Sequence, residues 1–599
     1  MVAAPVTLVP GVDVKVNGTA LDADTQDRLL EVVVEQSLHL PDMAVLRFHD
    51  IGDQQRPAMA VFFSLVDGST FPIGAELEVE LAQADAQATV FRGEITAVEL
   101  EASEELLPVL TVRGYARSHR LHRNRRNRSF LAMTDSQIVE QVAQEGGLSA
   151  QVEATTTTHD YVLQYEQTDW EFLKHLAARN GYELLVADRV LHFRKPQNEQ
   201  DSGLEQKLWE SLIGVRVKLS TAFQADEVIV RAWDYQAKEA IVGTASSGGL
   251  APKIGEGKTG AQLAGVFGNA KLYVVNQPVA DQTAANTLAK AIYDELDGAF
   301  VEAEASCVGD PRIKAGLTLK LDALGTRLSG TYYLTSVVHT VRADQDYTTS
   351  FVVSGRRANT LSDYLLGRPG ALGSPGQVSG VVTGVVTNIT DPDNLGRVKV
   401  KLPWIGDEQE SWWVRIASPM AGSSRGFLCL PEIDDEVLVA FEHGDVNRPY
   451  ILGVLWNGQD QPPKKNSEVT GNGKVNQRIL KTRAGHTITL DDTDGSEKIT
   501  IVDKTESNKI EIDSSSNKIT IEAAGDVSVT ASGDATVKAV NAKVTADQNG
   551  SFTAQQKLTL EGLQEVSIHG AQVKIKADAA GEINGGGMLT VKGGVVNIN

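Results

Sequence analysis

The chain has 599 residues, of which 42% are hydrophobic and 22% charged, a composition typical of folded protein at a length that allows several domains. Its 56 basic and 78 acidic residues give a formal net charge of −22, which disfavours general binding to nucleic acid or to anionic membrane surfaces. Only Cys307 and Cys429 are present, so a disulfide framework is excluded, and no stretch reaches the about 18 apolar residues of a membrane-spanning helix.

The first residues lack the charged and apolar regions of a secretory signal peptide. We therefore expect assembly in the cytoplasm, where both cysteines would be buried, reduced thiols. If the protein leaves the cell, it needs another export route.

Residues 1–365 combine strand-like alternation with three helical stretches, at 134–148, 168–182 and 281–298. The first two begin at a Thr or Asp that can cap a helix, and the first and third end near Gly. This part of the chain is predicted to be an α+β region dominated by strands.

A Gly- and Pro-rich stretch at 366–377 is typical of a linker, and the region that follows, 378–458, is a run of short strand-like segments. Many short strands in so few residues predict a small barrel. A polar connector at 459–481 then leads into the last part of the chain.

The C-terminal region repeats a short phrase almost unchanged, as EKITI at 497–501, NKIEI at 508–512 and NKITI at 517–521. So short a repeat predicts a stacked β-solenoid in which alternate aliphatic residues point to the axis. The period alone leaves open whether one chain or several form the stack. The residues predicted to face inward are Ile499, Ile501, Ile510, Ile512, Ile519, Ile521, Val527, Val529, Val537, Leu558, Leu560, Val566, Ile568, Val573 and Ile575.

Residues 396–458 resemble the OB-fold of VgrG spike proteins and of the baseplate spike of contractile phages. The matching features are the Gly-Arg-Val-Lys-Val opening, the run Trp412–Arg415, the run Asp435–Val439 and the close from Gly444 to Gly453. The segment 482–501 looks like the entry to the VgrG β-prism. Segments 168–184, 328–341 and 346–357 resemble the hub half of the same family.

The resemblance implies a mainly β homotrimer with an α+β hub, a barrel collar and a triangular β-helix spike wound from three chains. The implied domains are a hub-like region at 1–365, with two β-barrel domains and an α/β insertion around 115–200, the linker at 366–377, the OB-fold at 378–458, the connector at 459–481 and the spike at 482–599.

The function implied is the central hub and spike of a contractile injection machine. It would join the baseplate to the inner tube and puncture a target envelope when the sheath contracts. A type VI secretion system, an extracellular injection particle and a prophage tail remain open, and the fusion of hub and spike in one chain favours the first two.

The partners implied are inner-tube and baseplate proteins at the hub, effectors, and a PAAR-repeat tip protein on a blunt C-terminal end. Exposed strand ends recruit further β structure unless they are covered. The predicted tip-docking residues are Leu589, Val591, Val596, Ile598 and Asn599.

Two motif-like segments suggest catalysis or phosphate binding but lack the required context, so no catalytic, cofactor or metal residue is assigned. Ser424 fits a G-x-S-x-G elbow, yet β segments follow where a helix is needed. Residues 255–259 end like a phosphate-binding loop, but Pro252 stands where that motif needs Gly.

A concentrated basic stretch contains His119, His122, Arg123, Arg125, Arg126 and Arg128. It is interpreted as a patch that docks an acidic protein or an acidic face of the same oligomer, with phosphate or RNA contact as the alternative. Metal binding is disfavoured because no Cys or carboxylate stands close by in the sequence.

An alternative function is oligonucleotide binding by the OB-fold, which the acidic residues between 431 and 445 oppose. A second alternative is a phage spike with cell-wall hydrolase activity, but the polar stretch at 460–477 is far shorter than a catalytic domain.

Overall fold

The computed structural model describes residues 11–51, 63–103, 107–343, 345–355, 376–406 and 409–598. The chain divides into two compact units, residues 1–464 and 465–599, which are described separately. Strands contain far more residues than helices, so the predicted mainly β class is confirmed. Nearly all of the predicted linker at 366–377 lies outside the described residues. Among the described residues, no helix combines the length and apolar character needed to cross a membrane.

The hub-like region begins with strands β1 (Gly11–Val16), β2 (Thr19–Ala20), β3 (Leu29–Ser37), β4 (Met43–His49), β5 (Glu76–Gln83), β6 (Ala86–Glu101), β7 (Val109–Tyr115), β8 (Arg125–Thr134), β9 (Ser149–Val152), β10 (Thr158–Thr168), β11 (Glu183–Ala187) and β12 (Val190–Arg194). It continues with β13 (Glu205–Lys207), β14 (Leu212–Leu219), β15 (Glu227–Asp234), β16 (Glu239–Ala245), β17 (Lys253–Ile254), β18 (Lys271–Val274), β19 (Val301–Val308), β20 (Thr318–Asp322), β21 (Gly330–Tyr333), β22 (Ser336–Arg342) and β23 (Gln345–Val353). Its α-helices are α1 (Ala23–Asp27), α2 (Asp135–Glu145), α3 (Asp169–Asn180), α4 (Gly260–Ala264), α5 (Gln282–Gly298) and α6 (Gly325–Leu328).

One long sheet connects the two ends of this region. Its eleven strands follow the order β14-β19-β23-β22-β3-β4-β7-β6-β5-β1-β2. The central junction pairs β22 with β3, and Ser336 lies opposite Ser37. Alternate residues such as Val32, Val34 and Leu46 are fully buried, as expected for strands with one face on a core.

The α/β insertion has its own core, which lies beneath α2 and α3. Thr134 and Thr168 cap these helices through capping boxes, so both begin where the sequence predicts. The buried faces of the helices pack against the sheet β11-β12-β9. The core includes Ile138, Val142, Leu173, Leu176 and Phe193.

The third predicted helix, α5, packs on β15 and β16 and covers a second core. Asp281 caps its start by accepting a hydrogen bond from the Ala284 backbone N–H at 2.7 Å. A Cβ at Gly243 would lie 2.3 Å from the Ala285 carbonyl, so only glycine permits this close contact between strand and helix.

The barrel region contains β24 (Val381–Asn388), β25 (Lys399–Lys401), β26 (Arg415–Ile416), β27 (Ala421–Gly422), β28 (Arg425–Gly426), β29 (Glu436–Phe441) and β30 (Pro449–Val454). Five of these strands form one sheet in the order β25-β24-β29-β30-β26, and a bridge between Val398 and Val414 closes it. Buried valines from several strands fill the interior, among them Val386, Val400 and Val439.

The C-terminal unit contains α7 (Asn466–Val469), β31 (Thr470–Gly471), β32 (Lys474–Val475), β33 (Gln477–Lys481), β34 (Thr487–Asp491), β35 (Lys498–Val502), β36 (Lys509–Asp513) and β37 (Lys518–Glu522). The last five strands pair consecutively as an antiparallel meander. Residues 523–598, which the structure also describes, contain no assigned strand.

Candidate assembly surfaces

The C-terminal meander carries a continuous row of aliphatic side chains on one face. In its register, Ile501 lies opposite Ile488 on one side and Ile510 on the other. The second row runs in the same way through the other aliphatic position of each strand. We call this surface the aliphatic face; it comprises Leu480, Ile488, Leu490, Ile499, Ile501, Ile510, Ile512, Ile519 and Ile521.

These side chains are exposed within the single chain. Ile512 is 39% exposed and Ile519 is 68% exposed. The other face of the sheet carries residues such as Thr489, Thr500 and Thr520, which are half-buried. A contiguous apolar surface on a sheet marks an interaction site, because its exposure to water is unfavourable.

Asp residues at the ends of the strands make the tight turns of the meander. Asp491, Asp503 and Asp513 each accept a hydrogen bond from a backbone N–H two or three residues later, at 3.0, 3.2 and 2.9 Å. These side-chain hydrogen bonds stabilise the turns, of which the first also contains Gly495 at φ 76°. Hydrogen bonds from Asn508 and Thr505 lower the pKa of Asp503 to about 2, so this turn stays charged at neutral pH.

The structure brings together only the first part of the predicted spike core, Ile499 to Ile521. The sequence prediction missed Leu480, Ile488 and Leu490 on the same face, although their alternation in RILK and TITLD carries the signal. The remaining predicted core residues are exposed and belong to no strand of this chain: Val527, Val529, Val537, Leu558, Leu560, Val566, Ile568, Val573 and Ile575.

The predicted tip-docking residues are exposed as well. Leu589, Val591, Val596 and Ile598 keep their alternating spacing, and Ile598 is 91% exposed. Asn599 lies outside the described residues. Their role in docking stays a prediction.

Basic residues at and just before the start of this stretch surround the carboxylate of Glu94. Its carboxylate is 7% exposed and is surrounded by Arg117 at 3.3 Å, His119 at 3.0 Å and Arg120 at 2.5 Å. Although burial opposes the charge, hydrogen bonds from Arg120 and His119 hold the pKa of Glu94 below its usual value.

The arginines that follow are paired in the same way. Arg128 contacts both Glu145 and Asp169, and Arg126 lies 3.4 Å from each of these carboxylates. Arg125 lies 3.4 Å from Glu171. These pairs correct the interpretation of the stretch as an open docking patch, because most of its charge is neutralised within the chain.

The two histidines of that stretch do not converge. His119 contacts Glu94, whereas His122 stacks on Trp170 with ring centroids 5.1 Å apart. Burial lowers the pKa of His122 to about 4, so the ring is neutral near pH 7. Across the described ranges, no group of three or more His, Cys, Asp or Glu side chains is arranged to hold a metal ion.

The two motif-like segments have structural roles. Ser424, at φ 52°, lies in the turn between β27 and β28, so a strand rather than a helix follows it. Thr259 caps the short helix α4, and a Cβ at Gly255 would lie 1.8 Å from the Thr326 carbonyl oxygen. The Ser424 segment therefore lacks the helix that its motif requires. The segment 255–259 does lie between β17 and α4, but Pro252 stands where the phosphate-binding motif needs Gly.

The prediction of two buried thiols is correct for one cysteine and wrong for the other. Cys307 is buried in the hub core, where burial raises its pKa to about 12. Cys429 is exposed, because it lies on a segment that no other part of the described chain covers.

Comparison with known proteins identifies two regions of the chain. The family model described as the type VI secretion system/phage-baseplate injector OB domain matches residues 382–456. The model described as the Alg8 N-terminal domain matches residues 7–343. The first match confirms the predicted resemblance to VgrG-type spikes.

Curated relatives support the same assignment. The chain is 43% identical over 75 residues to actin cross-linking toxin VgrG1 of Vibrio cholerae serotype O1, an alignment that covers 12% of this chain and 7% of the relative. It is 30% identical over 156 residues to type VI secretion system spike protein VgrG5 of Pseudomonas aeruginosa, covering 24% and 19% of the two chains. The matched segments are therefore a small part of those longer proteins.

Among solved structures, a chain of the lidded PdpA-VgrG complex of Francisella matches with a TM-score of 0.50 at 9% identity, covering 86% of this chain and 80% of that one. This likeness concerns the fold alone. Because the Alg8 N-terminal domain model matches more than half of its residues, the chain belongs to the Alg8 N-terminal domain family, and it also carries a phage-baseplate injector OB domain.

Proposed function

We propose that this protein is the central hub and spike of a contractile injection machine, and that it works as a homotrimer. In this role the N-terminal region joins the baseplate to the inner tube, and the C-terminal region punctures the target envelope when the sheath contracts. The matched injector OB domain and the VgrG relatives support the assignment.

The aliphatic face is the observation that carries the proposal. One sheet with one apolar face cannot bury that face alone, whereas identical sheets arranged around a common axis can cover one another. Three copies would form a prism with Ile499, Ile501, Ile510 and Ile512 toward the axis and the Thr-bearing faces toward solvent. Burial of that apolar area would drive assembly.

Beyond Glu522 we propose that the chains exchange strands. The alternating residues there, such as Val529 at 85% and Val537 at 88% exposure, have no cover within the chain. Strands supplied by two neighbouring copies would satisfy both their backbone groups and their apolar side chains. In this arrangement all of the predicted core residues would be buried along the axis of the trimer.

The further partners in this proposal are inner-tube and baseplate proteins at the hub, effectors carried by the spike, and a PAAR-repeat tip protein on residues 589–599. Assembly would take place in the cytoplasm, and firing would deliver the particle outside the cell. The parent machine is a type VI system or a related phage-tail-like particle.

The mass of the purified protein in solution tests the proposal. Light scattering coupled to size exclusion should give three times the 64.3 kDa of one chain. Negative-stain images should then contain a broad head with a single shaft. A well-folded monomer across a range of concentrations would contradict the proposed function.

A second candidate, oligonucleotide binding, has one feature in its favour. Lys399 lies over the Trp412 and Trp413 rings, at 5.2 and 5.5 Å from their centroids, and aromatic side chains beside a cation can stack bases. However, Lys399 also donates to Glu410 at 2.8 Å, so its charge is already paired. Salt-sensitive binding of a fluorescent single-stranded oligonucleotide would favour this candidate; we expect none.

We assign no catalytic step to the chain. The toxin activity in the name of the Vibrio cholerae relative belongs to a protein of which only 7% is aligned here. The alternative of a spike with cell-wall hydrolase activity is tested by incubating the purified trimer with dye-labelled peptidoglycan. Release of the dye would support that alternative. The proposal expects none.

A further inference from the structure

An extended arm projects from the OB barrel. Residues 417–430, which we call the arm, are all exposed. The Ala417 backbone N–H donates to the Ile451 carbonyl of the barrel at 2.8 Å, and within the arm the Phe427 N–H donates to the Met420 carbonyl at 2.9 Å across the β27–β28 hairpin. Phe427 is 50% exposed and Leu428 is 79% exposed.

The chain itself leaves the arm uncovered. Within the described residues, the backbone of Leu428, Cys429 and Leu430 makes no hydrogen bond, so this extended stretch can accept a further partner. Arg425 is the one charged residue between 417 and 430. Across the described ranges Arg425 forms no ion pair, and its guanidinium lies close to Gly422, where an added Cβ would be 2.9 Å from its Cζ.

The same barrel carries a second uncovered apolar surface. Along and just past β30, alternate residues point outward, and we call Leu452, Val454 and Trp456 the outer stripe. Their exposures are 47%, 54% and 71%, while the intervening Gly453 and Leu455 are half-buried and the preceding Ile451 is fully buried. Since the arm and the outer stripe are exposed at the same time, neither covers the other in one chain.

An acidic residue, Glu436, lies beside one end of the outer stripe. The Leu455 N–H donates to the Glu436 carbonyl at 2.8 Å, and the Glu436 carboxylate accepts from the Asn457 side chain at 3.1 Å. This carboxylate is therefore beside the end of the stripe. Its charge is opposite to that of Arg425, so the arm and the stripe match in both apolar character and charge.

We propose that the arm of one copy packs on the outer stripe of the next copy, so that the three OB barrels form a closed ring. This rests on the proposed trimer. Two different patches on one domain make a head-to-tail contact, and three such contacts close when each copy is rotated by one third of a turn. In the ring Phe427 and Leu428 cover Val454 and Trp456, and Arg425 approaches Glu436 of the next copy.

A second copy fits these observations better than a different protein. Each copy carries one arm and one outer stripe on the same domain. In a ring of identical copies, every arm therefore has one stripe to pack on. A membrane surface is a poor occupant because the stripe is acidic at its border and the chain carries a net charge of −22.

Cys429 makes the proposal testable without altering the chain. It lies within the arm, and the other cysteine, Cys307, is buried in the hub. In guanidinium, a thiol reagent should modify both Cys307 and Cys429. Over the same reaction time in the native trimer, it should modify neither of them. A trimer in which one thiol per chain reacts immediately would overturn the proposal.

A cross-link tests the contact itself. Val454→Cys should form an inter-chain disulfide with Cys429 under mild oxidation, giving dimers and covalent trimers on non-reducing gels. Cys429→Ser in the same variant should abolish the product. Ile213→Cys is the matched control, since Ile213 is 60% exposed on the hub strand β14 and should give no ladder.

The outcomes separate this inference from the proposed function. A trimer that lacks the Val454→Cys product overturns the arm placement and leaves the proposed function standing. A monomer overturns both. If the Val454→Cys chain fails to fold, thiol protection in the unmodified trimer decides: protection of Cys429 supports the ring, and its free reaction overturns it.

Discussion

Arg397 and Asp391 form a nearly fully buried ion pair in the OB barrel. The Arg397 Nε donates to Oδ2 at 3.1 Å and Nη2 donates to Oδ1 at 2.6 Å, with the two side chains 4% and 5% exposed. The Leu395 N–H donates to the same carboxylate at 2.8 Å, so the pair also fixes the loop before β25. The hydrogen bond from Arg397 is the largest cause that holds the pKa of Asp391 well below its usual range.

Arg397→Met should destabilise the barrel strongly, because it leaves a buried carboxylate without its partner. We expect a loss of about 3–5 kcal/mol in the free energy of unfolding at neutral pH, measured by calorimetry. The matched control, Lys399→Met, removes a partly exposed pair with Glu410 and should cost less than about 1 kcal/mol. Equal effects of the two substitutions would contradict the buried-pair argument.

The pH dependence of that pair has a definite sign. Because the folded pKa of Asp391 is depressed, its stabilisation is fully present above the unfolded pKa of about 3.9 and is lost as pH falls below it. The parent protein and Arg397→Met should therefore converge in stability toward strongly acidic pH. A gap that stays constant down to the lowest accessible pH would count against the ion pair.

His339 should make the hub sensitive to mild acid. It is fully buried, with its Nε2 3.0 Å from the Ile313 carbonyl and its Nδ1 2.7 Å from the Tyr347 hydroxyl, and burial lowers its pKa to about 4. The unfolded chain, with a His pKa of about 6.5, binds more protons between these values, so stability falls as pH falls from about 6.5 to 4.

The measurement is the urea midpoint of the hub transition at pH 7 and at pH 5. His339→Gln should reduce the difference between the two midpoints, because glutamine does not titrate. Some dependence should remain, since burial also lowers the pKa of His122 and His192. An unchanged difference in the His339→Gln protein would show that His339 does not contribute.

Features set by neighbouring residues could be predicted from the sequence. The helix α2 begins after Thr134 because its hydroxyl accepts from the Gln137 N–H while the Gln137 side chain accepts from the Thr134 N–H. Thr168 and Glu171 do the same for α3. The alternation of the C-terminal phrases likewise identified Ile499 to Ile521 as one face, although the antiparallel meander was not anticipated.

Features that depend on distant residues could not be predicted in this way. Ser37 and Ser336 lie opposite each other in one sheet, yet no local pattern relates segments so far apart in sequence. The basic stretch looked like free charge because Glu94, Glu145 and Asp169 approach it only in the folded chain. The exposure of Cys429 could not be predicted for the same reason. Its neighbours in sequence are apolar and suggest a buried strand, and only the folded chain shows that no other described part of it covers them.

Removing residues 587–599 should separate tip binding from trimer formation. The segment contains the exposed residues Leu589, Val591, Val596 and Ile598, and it lies far from the meander in sequence. We expect a truncated protein of trimer mass that no longer co-purifies with a PAAR-repeat protein. A full-length Lys592→Ser variant, altered at a charged position of the same segment, should retain the partner. Retention by the truncated protein would assign the docking surface elsewhere.

Two neighbouring residues of β37 provide the sharpest test of the aliphatic face. Ile519 lies on that face opposite Ile512, whereas Thr520 points to the other side and lies opposite Glu511. Ile519→Lys would place three ammonium groups near one axis in the proposed trimer, each costing several kcal/mol to bury, so we expect loss of the trimer or a large fall in its melting temperature. Thr520→Lys adds the same charge one residue away but beside an opposite charge, and it should leave mass and melting temperature nearly unchanged. The comparison is made by light scattering and thermal melting of both variants at the same concentration. If the two lysines behaved alike, the aliphatic face would not be the surface that holds the copies together.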